Sequence, residues 1–225
     1  DVRVLLEGSP VGGTTRHQAD ALDRLAAANV PVRVRDGPRD PFRFHHAKYA
    51  VLDDRALVLT ENFKPAGTGG RSSRGWGVVL DDAAMAAGLA DLFRTDSEGS
   101  GARSWSTVGS SIDPAPSYPS RGSFPTHVEP DTMPVDGARL LVAPDNARPA
   151  LVDLLRTANR SVRIQQLSID GIDDPLLQAS IAAARNGTEV DVLLSSASYV
   201  RAENRRLVDR LDRLATREAL PIDAE

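Results

Sequence analysis

An α/β fold is predicted by three features of the chain. Short runs rich in valine and leucine alternate with stretches whose apolar residues recur at helical spacing. Segments rich in Gly, Pro and Asp separate the two kinds of run. The 225 residues are 41% hydrophobic and 26% charged, enough for one large core or two small ones and too apolar for a disordered chain. The sequence has no cysteine, which excludes a disulfide framework and thiolate sites for zinc, haem or iron–sulfur clusters. No apolar run approaches the roughly 18 residues of a membrane span. No charged-then-apolar leader precedes Asp1, so compartment is left open, and the chain is expected to be a processed or excised piece of a longer one.

The elements follow in order. Residues 2–6 (Val-Arg-Val-Leu-Leu) read as a buried strand, and residues 7–15, with three glycines and a proline, as a loop. Ala21, Leu22, Leu25 and Ala26 give residues 17–29 a helical stripe. Residues 31–34 are a strand, and residues 36–41 a turn-rich crossing. Residues 47–52 and 56–59 are strands on either side of Asp53-Asp54-Arg55, a hairpin signal. A Gly-rich loop over 65–75 leads to a strand at 76–80, and Asp81-Asp82 caps a helix from Ala83 to about Phe93.

Residues 96–135 hold six of the fifteen prolines and nine serines, with little periodicity, and read as a linker. The expected organisation is a first domain over 1–95, a linker over 96–136 and a second domain over 137–225. Within the latter, strands are expected at 139–142, 161–167 and 190–194, and helices at 147–158, 175–184 and 204–219. The Asn186-Gly187 pair stops the middle helix.

An internal repeat links the two ends. Val2-Arg-Val-Leu-Leu resembles Val190-Asp-Val-Leu-Leu, Asp23-Arg24-Leu25-Ala26 matches Asp212-Arg213-Leu214-Ala215, and Pro31 aligns with Pro221. The offsets are 188, 189 and 190, so one register with two single insertions accounts for all three. The chain then holds the latter part of one lobe and the early part of the next.

Charge narrows the function less than motif does. The net charge is −4, which gives no support for tight non-specific nucleic-acid binding. Only Lys48 and Lys64 are lysines among 27 basic residues, leaving 27 − 2 = 25 arginines. Against that background the segment Phe44-His45-His46-Ala47-Lys48-Tyr49-Ala50-Val51-Leu52-Asp53 stands out. On a strand, His46 and Lys48 project to one face. An imidazole beside an ammonium suits a phosphate: the lysine supplies fixed charge, and the histidine acts as nucleophile or proton carrier near neutral pH. Asp53 alone reads as a turn former, and His45, on the opposite face, as structural. Lys64, Arg71 and Arg74 lie in the following loop, placed to attract an anionic substrate.

The pattern His46-x-Lys48-x4-Asp53 followed by Thr60-x-Asn62 resembles the His-x-Lys-x4-Asp signature of the phospholipase D superfamily. Leu59-Thr60-Glu61-Asn62 stands where that family has Gly-Ser-x-Asn: Asn62 matches, Thr60 keeps the hydroxyl and Leu59 departs from glycine. Arg74-Gly75-Trp76-Gly77-Val78-Val79 resembles the strand that follows, without the acidic residue often found there. The similarity covers most of residues 1–95, and residues 137–225 resemble the start of a second family domain.

The resemblance implies phospholipase D-like lobes, each a mixed central sheet flanked by helices, duplicated about a pseudo-twofold axis. It implies a phosphodiester hydrolase or phosphatidyltransferase that works through a covalent phosphohistidine, without metal or cofactor. By position, His46 would be nucleophile or general acid, Lys48 and Asn62 would clamp phosphate oxygens, Thr60 would hydrogen-bond nearby, and Asp53 would orient the motif. Substrates of this chemistry are phospholipids, met at a membrane surface, or nucleic acids. A binding module that keeps the fold without catalysis is the remaining class. His17, His45 and His127 have no lysine two residues on, so one half-site is present, and the second must come from downstream chain or a homodimer partner. A second His-x-Lys is expected ten to fifteen residues past Glu225 in the parent, by the repeat offset, with the isolated chain weakly active at most. Sequencing the downstream region checks this, and an unrelated continuation would overturn it.

Overall fold

The computed structural model describes residues 1–8, 10, 12–35, 40–64, 66–68, 73–116 and 128–225. It is mixed α/β, with three small sheets, and its chain divides into two units, residues 1–138 and 139–225. Among the described residues no helix is long and apolar enough to cross a membrane.

In the first unit, β1 (Val4–Glu7), α1 (Arg16–Ala27) and β2 (Val32–Arg35) form a strand–helix–strand with parallel pairing, Val4 opposite Val32. Thr15 caps α1 by accepting the Gln18 amide on its hydroxyl. The core here is Leu22, Val32, Val34, Trp105 and Val108, with Val4, Leu6 and Leu25 packed against it. The next strands, β3 (Tyr49–Leu52), β4 (Arg55–Leu59) and β5 (Gly77–Leu80), make a separate antiparallel meander. α2 (Ala83–Glu98), capped by the Asp82 carboxylate on the Met85 amide at 2.8 Å, packs on strands of both sheets.

Two departures from the sequence reading share one cause. α2 runs on to Glu98, and the chain then forms β6 (Ala102–Ser104) and α3 (Trp105–Val108), followed by a 3₁₀ turn at Gly109–Ser111. So the start of the expected linker belongs to the first unit. β6 pairs antiparallel with β2, Arg33 opposite Ser104, while Trp105 is buried and its Nε1–H donates to Asp23 Oδ1 at 2.7 Å. β2 therefore has β1 on one edge and β6 on the other. β3 has no edge of β2 to join, and the unit holds two sheets instead of one central one. Polar Arg94–Glu98 and the Ser-rich stretch after it concealed these elements, because tertiary packing and not apolar periodicity holds them.

A buried ion pair closes the end of β2. The Arg35 guanidinium binds the Asp40 carboxylate through Nε and through Nη2, the latter at 2.6 Å, and the two side chains are 4% and 2% exposed. Arg35 Nη1 also donates to the Asp96 carbonyl of α2 at 2.6 Å, and the guanidinium lies over the Phe42 ring. Hydrogen bonding to Arg35 holds the Asp40 carboxyl below its ordinary range, and the same bond raises Arg35.

In the second unit, α4 (Ala147–Arg156), β7 (Ser161–Gln166), α5 (Pro175–Arg185), β8 (Glu189–Leu194), α6 (Arg201–Glu218) and β9 (Ile222–Ala224) build a parallel three-stranded sheet in the order β7-β8-β9. Its core is Leu177, Ile181, Val190, Val192, Leu207 and Leu211, with Asp174 capping α5 ahead of Pro175. Residues 139–142 form no strand. Their chain is tied into a turn instead, the Val142 amide donating to Asn146 Oδ1 at 2.8 Å.

A strand–helix–strand with parallel pairing occurs in each unit, β1-α1-β2 and β8-α6-β9. Their helix-to-strand junctions share a left-handed residue and two backbone bonds. Asn29 and Ala219 are left-handed, at φ 59° and 51°. Val30 N–H donates to the Leu25 carbonyl and Leu220 N–H to that of Ala215, while Val4 and Val190 donate to the carbonyls of Pro31 and Pro221. Geometric equivalence thus pairs Val4 with Val190 and Leu25 with Ala215, displaced by two and by one from the residue pairing that sequence identity chose.

Removing one partner of the buried ion pair leaves an uncompensated charge in the fold. Asp40→Ala is expected to lower stability by about 3–5 kcal/mol in urea titration, and a loss below about 1 kcal/mol, the range of an exposed pair, would remove the anchoring role given to it.

Candidate active site

The hairpin β3–β4 decides which motif residues meet. Its register pairs Tyr49 with Val58 and Leu52 with Arg55, leaving Asp53-Asp54 as a two-residue tip. Asp53 takes the left-handed conformation there, φ 57°, with a short polar side chain that tolerates it. Extending the same register backwards sets Lys48 opposite Leu59, and the Leu59 amide donates to the Lys48 carbonyl at 2.9 Å. His46 and Lys48 therefore lie at the open end of the hairpin with Thr60, Glu61 and Asn62, which follow β4. Asp53 lies at the closed end, five residues of extended chain or about 17 Å from Lys48, and is exposed.

His46 and Lys48 precede β3, so the alternation expected of a strand does not orient them. Lys48 is half-buried and turns its ammonium back to donate to the His46 carbonyl at 2.7 Å. That bond is what brings the cation beside the imidazole. His46 is exposed, and partial desolvation of its ring, then the nearby Lys48 charge, lower the imidazole below its ordinary value. Burial also lowers the Lys48 ammonium, opposed by the Glu61 carboxylate and assisted by the Lys64 cation. His46, Lys48, Glu61 and Lys64 thus form one electrostatic cluster. The free-base imidazole that a nucleophile requires is favoured there.

Thr60 uses its hydroxyl in the scaffold. It accepts the Trp76 amide at 2.9 Å and donates to the Trp76 carbonyl at 3.1 Å, while its own amide donates to that carbonyl at 3.0 Å. Trp76, exposed, is clasped to the end of β4 in this way. The Asn62 carbonyl accepts the amides of Lys64 and Thr68, which folds the chain into a tight turn after the motif. Asn62, Lys64 and Arg74 are exposed, and Arg71 lies outside the described residues. Glu61 is enclosed from both sides: a Cβ at Gly67 would come within 2.8 Å of Glu61 Oε2, and one at Gly75 would collide with Glu61 Cγ. Both positions need glycine for lack of space.

His45 is the fixed point behind the motif. Its amide donates to Glu7 Oε2 at 2.6 Å and its Nε2 meets Asp96 Oδ2 at 3.1 Å, with side chains 11% and 13% exposed. Both bonds tie His45 to the scaffold behind the motif. Tyr49, on the other side of Lys48, buries its Oη without a hydrogen-bond partner among the described residues. Burial, with the Asp96 charge added, pushes its phenol up to about 12. Glu61, Tyr49 and Asp96 are the neighbours that motif reasoning passed over, and Asp96 lay in the stretch read as linker. Among the described residues no group of three or more histidine and acidic side chains is placed to hold a metal ion.

No family model matches the chain, and no curated protein matches it.

Burial and a like charge both favour the neutral ring, so His46 should titrate below the ordinary imidazole value of about 6.5 when followed by NMR. The base form then persists to lower pH than for a free histidine. Lys48→Met should move the midpoint upward, and a wild-type midpoint at or above 6.5 would contradict the arrangement.

Proposed function

We propose that the chain carries one half-site of a phosphodiester hydrolase or phosphatidyltransferase of the phospholipase D type, with His46 as the group that becomes phosphorylated. The single observation that carries the reading is the hairpin register, which gathers His46, Lys48, Thr60, Glu61 and Asn62 at one open end. The low-lying imidazole beside Lys48 supports it.

In this reading His46 attacks phosphorus. A nitrogen–phosphorus bond forms as the bond to the leaving oxygen breaks. Lys48 and the Asn62 carboxamide hold the non-bridging oxygens, whose charge must be met as the bond order changes. The leaving alkoxide takes a proton from an acid of a second half-site, supplied by further chain or by a homodimer partner. Water or an alcohol then attacks phosphorus and returns the imidazole. Thr60 acts through Trp76 and the turn, not on the phosphate. Asp53, at the far tip, serves the hairpin turn and orients the motif only through it.

The two units are read as portions of two phospholipase D-like lobes related by duplication. The matched junctions at Asn29–Pro31 and Ala219–Pro221 support this more closely than the sequence identities do. A nuclease of the same chemistry is the second reading. Exposed Phe63 and Trp76, interleaved with Lys64 and Arg74, favour it, since bases stack on such rings between cations.

An aryl phosphodiester loses its phenolate without a proton, so one half-site suffices to form the adduct. With bis(4-nitrophenyl) phosphate, one equivalent of nitrophenolate and an acid-labile phosphoryl group on His46 are expected. His46→Asn should abolish both, and Lys48→Ala should slow them by about 10²–10³-fold. Labelling that survives in His46→Asn sinks the proposal, and competition by a phosphatidylcholine vesicle or by single-stranded DNA separates lipid enzyme from nuclease.

A further inference from the structure

We propose that Asp96, fifty residues from the motif, is a positioning residue that anchors the tripeptide His46-Ala47-Lys48 through His45; this rests on the reading of His46 given above. The tripeptide lies outside β3, and only the Lys48 carbonyl joins the ladder. β-pairing therefore does not place the His46 ring. Of the residues that bracket the tripeptide, His45 is bonded to Asp96 and Tyr49 lies within reach of its charge. His45 bonds its carboxylate through Nε2 at 3.1 Å, and Tyr49 buries its phenol where the Asp96 charge acts on it.

Asp96 is itself fixed. It sits in the last turn of α2, and its carbonyl accepts Arg35 Nη1 at 2.6 Å, so the helix end is tied to the buried Arg35–Asp40 pair. Glu7 completes the surround by accepting the His45 amide at 2.6 Å. Arg35, Asp40, Glu7 and Tyr49 are the titratable neighbours on this side, and Lys48 on the other. At the end of α2, Asp96 thus meets His45 with its carboxylate and Arg35 of β2 with its carbonyl, while Glu7 of β1 meets the same His45. Catalysis by positioned groups is sensitive to such supports, because a misplacement of about 1 Å costs about a hundredfold.

The test compares Asp96→Ala with Asp96→Asn in the full chain, Asn keeping an acceptor for His45. Three quantities are read: the His46 midpoint by NMR, amide exchange over residues 44–49, and the rate and half-saturation of labelling by bis(4-nitrophenyl) phosphate. In Asp96→Ala the midpoint should rise toward 6.5 as the ring becomes solvated, although loss of a carboxylate by itself would lower it. Exchange should speed up, and labelling should slow about tenfold to a hundredfold with half-saturation little changed. Asp96→Asn should stay close to wild type on all three. If Asp96→Ala fails to fold, His45→Leu removes the same contact from the other side and carries the same expectations. A folded variant whose midpoint, exchange and labelling all equal wild type would overturn the proposal. Should the wild-type chain form no adduct, the phosphohistidine reading falls, while midpoint and exchange still decide the role of Asp96.

Discussion

Arg35 is the constraint on which the first unit turns. Burying a guanidinium is tolerable only when its donors are met, and two separate pieces of chain surround it: residues 40–42, with the Asp40 carboxylate and the face of the Phe42 ring, and α2 with the Asp96 carbonyl. Satisfying that one cation dictates where the crossing after β2 begins and where α2 ends. The segment from His45 to Lys48 starts five residues after Asp40. Its position is a consequence of charge satisfaction in the interior more than of any preference of its own sequence.

The hairpin adds a second constraint of a different kind. Register is a counting rule: with a two-residue tip, residues whose numbers sum to 107 face each other. A histidine and lysine before one strand and a hydroxyl and carboxamide after the next must then arrive at the same end. The spacing of the motif is thus geometrically sufficient to gather its polar groups, and the same rule sends Asp53 away from them. Local electrostatics complete the picture. Desolvation of the ring, and after it the Lys48 charge, bias the imidazole toward its neutral form.

Where the sequence pattern was strong, the fold was legible. The valine-rich strands, the hairpin around Asp53-Asp54 and the start of the helix after Asp82 emerge within two or three residues of their expected limits, while that helix ends five residues beyond Phe93. Those elements announce themselves through periodicity, caps and turns, which are local. β6 and α3 do not, because three residues on a sheet edge and a single buried tryptophan carry no period. The site shows the same division. His46, Lys48, Thr60 and Asn62 were visible as spaced residues, yet the assumption that His46 and Lys48 share a strand face was not met, since β3 begins at Tyr49. What orients them is a carbonyl two residues back and an acid fifty residues on. Neither can be read from spacing, because both depend on how distant segments pack. The likeness between the two strand–helix–strand segments is a further instance. Matching letters chose one alignment, while backbone bonds at the two prolines choose another.

The chain's two tryptophans sit in opposite circumstances, Trp105 at 3% exposure in the core and Trp76 at 64% beside Thr60. As intrinsic fluorophores they would report on different events. The blue-shifted emission of an indole sealed against Asp23 tracks the integrity of the interior, while the water-relaxed emission of the other senses what settles over the open end of the hairpin. Exciting the protein once, and resolving the spectrum into its short- and long-wavelength parts, would separate unfolding from occupancy without any added label.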